Sequence, residues 1–168
     1  MKIFKNLIII NLLISVLLCF SSCSCSLPFK KNDEIDILTS DIADEIKNKI
    51  VFKDELQEID DMDMLQNIYT EINPDYISEF SVYISSSGAT AEEIAVFKIN
   101  DLTYSDDIKQ IFVKRRTEQI SSFENYIPEE VYKLENSVIN ETKNIFTFVA
   151  CDTPDDVEIL LKKLYTNK

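Results

Sequence analysis

Apolar positions along the chain change their spacing several times, and each spacing predicts an element. Leu7 to Phe20 is an almost unbroken apolar run, interrupted only by Asn11, Ser15 and Cys19. Beyond a polar stretch, Ile42, Ile46 and Ile50 fall on one helical stripe, with Thr39, Ser40 or Asp41 placed to cap it. Residues 54–69 carry Leu56, Ile59, Met62, Leu65 and Tyr69 at a weaker helical spacing. Asn73-Pro74-Asp75 stops the chain and restarts it, because Asn caps and Pro suits a first helical position.

The period then drops to two. Phe80, Val82 and Ile84 alternate with Ser81, Tyr83 and Ser85, and a turn follows at Ser87-Gly88-Ala89. Residues 93–99, EIAVFKI, are apolar on both faces, as in a central strand. A long helix is predicted from Ser105 to Phe123. Ile108, Ile111, Phe112, Gln119 and Phe123 lie near one face, with Arg115 and Arg116 beside it. Pro128 opens a further helix through Val131, Leu134 and Val138, and residues 145–151, IFTFVAC, form a strand. The last helix carries the strongest signals. Thr153 caps it, Pro154 takes the first turn, Asp155 and Asp156 favour its positive end, and Val157, Leu160, Leu161, Leu164 and Tyr165 share a face. The expected fold is α+β: a small antiparallel sheet of three or four strands packed by helices on one face, in the order α-β-β-α-α-β-α.

The first apolar run changes this picture by adding an address. Lys2 and Lys5 precede it, it is too short for a membrane span of roughly 20 residues, and small residues follow it. Phe20-Ser21-Ser22-Cys23 resembles a bacterial lipobox, with Phe in place of the usual Leu. Cys19 follows bulky Leu18 and Cys25 lies further from the run, so Cys23 is the expected lipidation site. The domain reading is a lipoprotein signal peptide over 1–22, a lipidated tether over 23–34 and a single α+β domain over 35–168. A diacylglyceryl group would hold the chain to the outer leaflet, since each buried methylene contributes about 0.8 kcal/mol and two acyl chains anchor stably. A Cys25–Cys151 disulfide would tie the tether to a core strand, and the pattern favours a core thiol for Cys151.

Charge and composition exclude several classes. Lys and Arg total 17 against 30 Asp and Glu, a net charge of −13, and loss of residues 1–22 would remove two lysines and no acid. No basic footprint for nucleic acid exists, and anionic lipid would repel the domain surface. The single glycine rules out a glycine-rich phosphate loop, and the absence of histidine removes the commonest general base and metal ligand. No cofactor and no metal is expected. Asp60-Asp61-Met62-Asp63 lacks the glycine and distal glutamate of a calcium loop and reads as a helix start.

Five polar residues beside apolar stretches are candidate binding residues: Glu93, Lys98, Arg116, Gln119 and Tyr126. They would form a shallow pocket where the hairpin meets the long helix, with Arg116 gripping a carboxylate and Tyr126 stacking or donating. The plainer alternative pairs Arg116 with Glu93 and uses Tyr126 to close the helix end.

Asn73-Pro74-Asp75, AEEIAVFK at 91–98 and KRRTEQISSFENYIPEEVYKLENSVI at 114–139 resemble a family of bacterial lipoproteins described as domain of unknown function 4358. The resemblance covers roughly residues 70–152. In that family an Arg, a Gln and an aromatic-x-x-Tyr pattern recur along the long helix, here Arg116, Gln119 and Phe123-Glu124-Asn125-Tyr126. The family usually has a glycine before its last strand, where this chain has Glu141-Thr142-Lys143-Asn144. The resemblance implies a lipoprotein of unknown activity. From the anchor, the small domain, its acidic face and the lack of a catalytic constellation, the expected function is a non-enzymatic protein-interaction domain on the outer leaflet, serving a protein partner in the cell envelope. The alternatives are an accessory lipoprotein that binds a small ligand and, behind it, a carboxylate-based cell-wall hydrolase.

Overall fold

A computed structural model describes residues 35–166; the expected signal peptide, Cys23 and the tether lie outside the described residues. Five α-helices and five strands follow in the order α1 (Thr39–Lys49), β1 (Leu56–Ile59), α2 (Met62–Ile68), β2 (Ile77–Ser85), β3 (Glu93–Ile99), α3 (Ser105–Glu124), α4 (Val131–Glu135), β4 (Val138–Thr142), β5 (Ile145–Ala150) and α5 (Pro154–Thr166). The strands form one antiparallel sheet with the order β1-β2-β3-β5-β4. The class is α+β, as expected, but the sheet has more strands than the three or four anticipated.

Both extra strands are edges, and both were hidden in helical patterns. Leu56 to Ile59 pairs with Ser85 to Val82 of β2, so hydrogen bonding along an existing strand overrides the weak helical spacing of 54–69. The helix begins only at Met62, where Asp61 accepts a bond from the Met64 N–H at 2.8 Å. Val138, read as the last turn of a helix, instead opens β4 opposite Val149.

Helices cover both faces of the sheet, not one. β3 and β5 explain this. Ala95, Phe97, Phe146, Phe148 and Ala150 face α2, α3 and α4, where Leu65, Ile108, Phe112 and Leu134 join them in one core. Ile94, Val96, Ile145 and Val149 face α1 and α5, with Ile42, Ala43, Ile46, Val157, Leu160 and Leu161. A strand buried on both faces needs an unbroken apolar run, which EIAVFKI and IFTFVA both supply. Burying each large side chain contributes roughly 1.5–3 kcal/mol.

Neither of two expected local caps forms as predicted. At α1, Glu79 of β2 reaches across to accept from the Thr39 N–H at 2.7 Å and hydroxyl at 3.0 Å, while Leu38 occupies the N-cap position with no side-chain bond. Ser105 is the first residue of α3 and not its cap; a short turn at Leu102–Tyr104, capped by Asp101, leads into it. Cys151, just after β5, is buried in the core between the sheet and α5, and burial pushes its thiol pKa up.

Candidate functional site

The first residue of β3, Glu93, is placed on the α3 side of the sheet by the same alternation that buries Ala95 and Phe97. A carboxylate in that position needs partners, and three side chains supply them. Arg115 of α3 holds it bidentately, with Nη2 2.8 Å from Oε2 and Nε 3.1 Å and 3.2 Å from the two oxygens. The Tyr69 hydroxyl, just beyond α2, donates to Oε1. Gln119, one helical turn after Arg115, lies with its amide against the guanidinium; because a guanidinium can only donate, the amide oxygen is assigned to that side, accepting from Nη2 at 2.5 Å and Nη1 at 2.7 Å. The Tyr69 ring is packed edge-on against Phe97 and Phe112, with centroids 5.2 Å and 5.9 Å away.

The network is tightly held. Glu93 is 3 % exposed and Tyr69 2 %. Burial, followed by the Glu93 charge, drives the Tyr69 hydroxyl well above its ordinary pKa, so it remains a donor. Burial opposes the Arg115 charge, but Glu93 and Tyr69 outweigh it and raise the guanidinium's pKa.

Glu93, Arg115 and Gln119 floor a cleft of about 370 Å³ between the β2–β3 hairpin and the second half of α3, with Tyr69 beneath them and outside its lining. Its walls carry Ser85, Thr90, Ser122 and Phe123, and Tyr126, 74 % exposed, stands at the rim. Gly88 lies in the hairpin loop at a φ of 67°. A Cβ there would meet nothing within 4 Å, so glycine supplies the left-handed backbone and not space.

A second buried network lies behind the cleft. Glu92 accepts from the backbone N–H groups of Lys53 and Asp54 at 2.9 Å, from the Thr90 hydroxyl at 3.1 Å and from Lys133 Nζ at 3.0 Å. Lys133, 1 % exposed, also meets Glu130 at 2.9 Å and Asp152 at 3.8 Å, and Glu130 in turn accepts from the Ala91 N–H at 3.0 Å. Burial alone would raise the Glu92 pKa, but the Lys53 and Asp54 N–H groups and Lys133 lower it overall. Outside this cluster, Asp54 collects bonds from the Ser85 and Ser87 hydroxyls and the Ser87 N–H, which lower its pKa to about 2. This arrangement ties the 50–55 loop, the hairpin and α4 together and gives the cleft a rigid wall.

Of the five residues picked from the sequence, Glu93, Gln119 and Tyr126 line this cleft. Lys98 does not, because its even position on β3 turns it to the opposite face, 4.0 Å from Glu79 and 3.5 Å from the Ile37 carbonyl. Arg116 is also outside. The ion pair with Glu93 falls to Arg115, and Arg116, about 100° further round the helix, makes no hydrogen bond or ion pair among the described residues. Tyr69, Glu92 and Lys133 were missed. The Glu92-Glu93 pair inside an apolar run was the visible signal for a buried charge network, but its partners are remote in sequence.

Glu92 and Glu93 are each engaged by their own cation and do not face each other across the cleft as a pair of free carboxylates. Asp61 of the acidic 60–63 stretch serves as a helix cap. A broader groove of about 690 Å³ runs between edge strand β4 and α5, with Ile139, Ile159 and Tyr165 among its lining residues. The hairpin cleft is the better candidate because a built, fully partnered polar floor underlies it.

A five-stranded antiparallel sheet sandwiched by helices, with a cleft over a neutralised ion pair on the α3 side, defines a small α+β domain. The chain belongs to the family described as domain of unknown function 4358, which it matches over residues 48–151, more than half its length. That match begins earlier than the resemblance read from the sequence and takes in β1, α2 and the 50–55 loop. Comparison with curated proteins and with solved structures gives no match.

Proposed function

We propose that this chain is an extracytoplasmic lipoprotein, anchored through Cys23 to the outer leaflet of a bacterial cell membrane, that works as a non-enzymatic interaction module of the cell envelope. The observation that carries the reading is the hairpin–α3 cleft. It is preformed, its floor is internally neutralised by the Glu93–Arg115 pair, and its rim presents exposed Tyr126. Exposed aromatic residues are enriched at interaction surfaces, and the charged groups beneath Tyr126 are committed to each other, which favours holding a partner over chemistry. The anchor rests on Lys2, Lys5, the short apolar run and Phe20-Ser21-Ser22-Cys23. The absence of a membrane-crossing helix among the described residues is compatible with it.

Cleft volume favours one alternative. About 370 Å³ lies within the range of small-molecule sites, roughly 300–1,000 Å³, which supports a soluble ligand in place of a protein segment. Photo-crosslinking in intact cells separates the two. With a crosslinking residue at Ser122, the lipidated chain is expected to give one dominant protein adduct, and Cys23→Ala is expected to abolish both lipid labelling and that adduct. A correctly anchored chain that yields no protein adduct from Ser122 would overturn the interaction reading in favour of the ligand.

A further inference from the structure

The hydrogen-bonding capacity of the cleft is lopsided. Each serine and threonine hydroxyl in its lining has a single proton, and each of those protons is already spent. Ser85 donates to Asp54, Thr90 donates to Glu92 at 3.1 Å, and Ser122 donates to the Glu118 carbonyl at 3.0 Å. Only oxygen lone pairs remain for a visitor. Arg115 is similarly committed, to Glu93 through Nε and Nη2 and to Gln119 through Nη1 and Nη2. One Nη1 N–H is left over, too few to clamp an anion bidentately. Because Gln119 gives its oxygen to Arg115, its amide N–H groups and the Tyr126 hydroxyl are the main donors left in the lining.

Charge and aromatic surface lean the same way. Glu92 and Glu93 line the cleft already paired with Lys133 and Arg115, so the pull on a cation comes from the chain's overall net charge of −13 and from the aromatic lining. Phe123 and exposed Tyr126 are in the lining, and aromatic rings attract cations through their quadrupoles.

We infer that the cleft receives a cationic hydrogen-bond donor: a guanidinium or alkylammonium group that gives its protons to the outward lone pairs of Ser85, Thr90 and Ser122 and packs against Tyr126. This rests on reading the cleft as the recognition surface. The cation has two possible sources, a basic side chain of a partner protein or a free cationic solute.

The test is a titration of the full-length chain in detergent, followed by isotope-edited NMR. The probes are acetyl-arginine amide, its uncharged isostere acetyl-citrulline amide, and acetyl-aspartate amide as the anion. The arginine probe is expected to bind about tenfold more tightly than the citrulline probe, with shifts centred on Gln119, Ser122 and Tyr126. Tyr126→Ala should weaken it by about fivefold, and Gln119→Glu, which replaces the amide donors with a further acceptor, should tighten it. Both positions lie outside the buried core, and matching thermal unfolding curves confirm that the variants fold. Tighter binding of a Gly-Arg-Gly peptide than of spermidine assigns the cation to a protein, and the reverse assigns it to a solute.

Equal affinity for the citrulline probe, preference for the aspartate probe, or arginine binding unmoved by both substitutions would each overturn the inference. Failure of every probe would do the same. A persistent crosslink from Ser122 in cells would then show that the interaction reading stands while its cationic chemistry falls.

Discussion

Glu93 and Arg115 illustrate how an ion pair under a cleft constrains a small domain. Either charge alone would be stranded in an apolar setting, so the penalty for breaking the pair far exceeds what the pair itself contributes. Glu93→Gln leaves the guanidinium, whose side chain is 15 % exposed, facing an uncharged amide. It is expected to cost about 3 kcal/mol of stability, read as a shift in the urea midpoint. Combining Glu93→Leu, Arg115→Met and Tyr69→Phe should recover most of that loss, because nothing charged or hydroxylated is then left without a partner. A triple variant no more stable than Glu93→Gln would show that the network supports the fold and not only the shape of the cleft.

At the scale of elements, legibility followed burial. β3, β5 and α5 were read closely from their patterns, because a strand apolar on both faces and a helix with a single apolar stripe leave few alternatives. The edges β1 and β4 were not: LQEI is short and weakly patterned, and in VINET the strand-favouring Val138 continued a helical spacing from Val131 and Leu134, so both gain their structure from the neighbouring strand. The same limit governs the site. Glu93 stood out as a charge in an apolar run, but one residue of helical phase separates Arg115 from Arg116, and an irregular apolar pattern on α3 does not fix that phase. Lys98 was misplaced for a similar reason, because a strand buried on both faces gives no outward side to read.

The β4–β5 turn shows a sequence departure with a structural cost. Lys143 adopts a φ of 56° in the tight connection between Thr142 and Ile145, where hairpins favour glycine. A non-glycine residue in that conformation costs roughly 1–2 kcal/mol, and glycine's greater freedom when unfolded returns about half of it. Lys143→Gly is thus expected to stabilise the chain by about 0.5–1 kcal/mol, visible as a higher denaturation midpoint. An unchanged or lower midpoint would mean that the lysine side chain contributes more than the backbone strain removes.

For the molecule as a whole, acid is the expected weakness. Hydrogen bonds from Ser85 and Ser87 hold Asp54 near a pKa of about 2, below its ordinary 3.8, and Glu92 is likewise lowered from 4.5. Groups with lowered folded-state pKa values contribute stability that is complete above the unfolded values and drains as pH falls through the folded ones. Stability should accordingly be flat from neutral pH to about pH 5 and fall steeply toward pH 2. Asp54→Asn should shallow that slope in a series of urea melts, and an unaltered slope would remove Asp54 as a cause.

The start of the described chain bears on how a tethered molecule would respond to tension. The Ile35 N–H bonds the Asn144 side chain at 2.7 Å, and α1 follows at once, held by Thr39 to Glu79 and by Ile42 and Ile46 against the sheet. No strand of the sheet lies between residue 35 and α1. A pull on the N-terminal side therefore loads side-chain contacts in succession, from Asn144 to Glu79 to the isoleucines, and not a row of strand hydrogen bonds at once. Contacts loaded in succession give way singly, so under tension α1 is expected to detach before the β2–β3–β5 centre and the cleft on the opposite face are loaded.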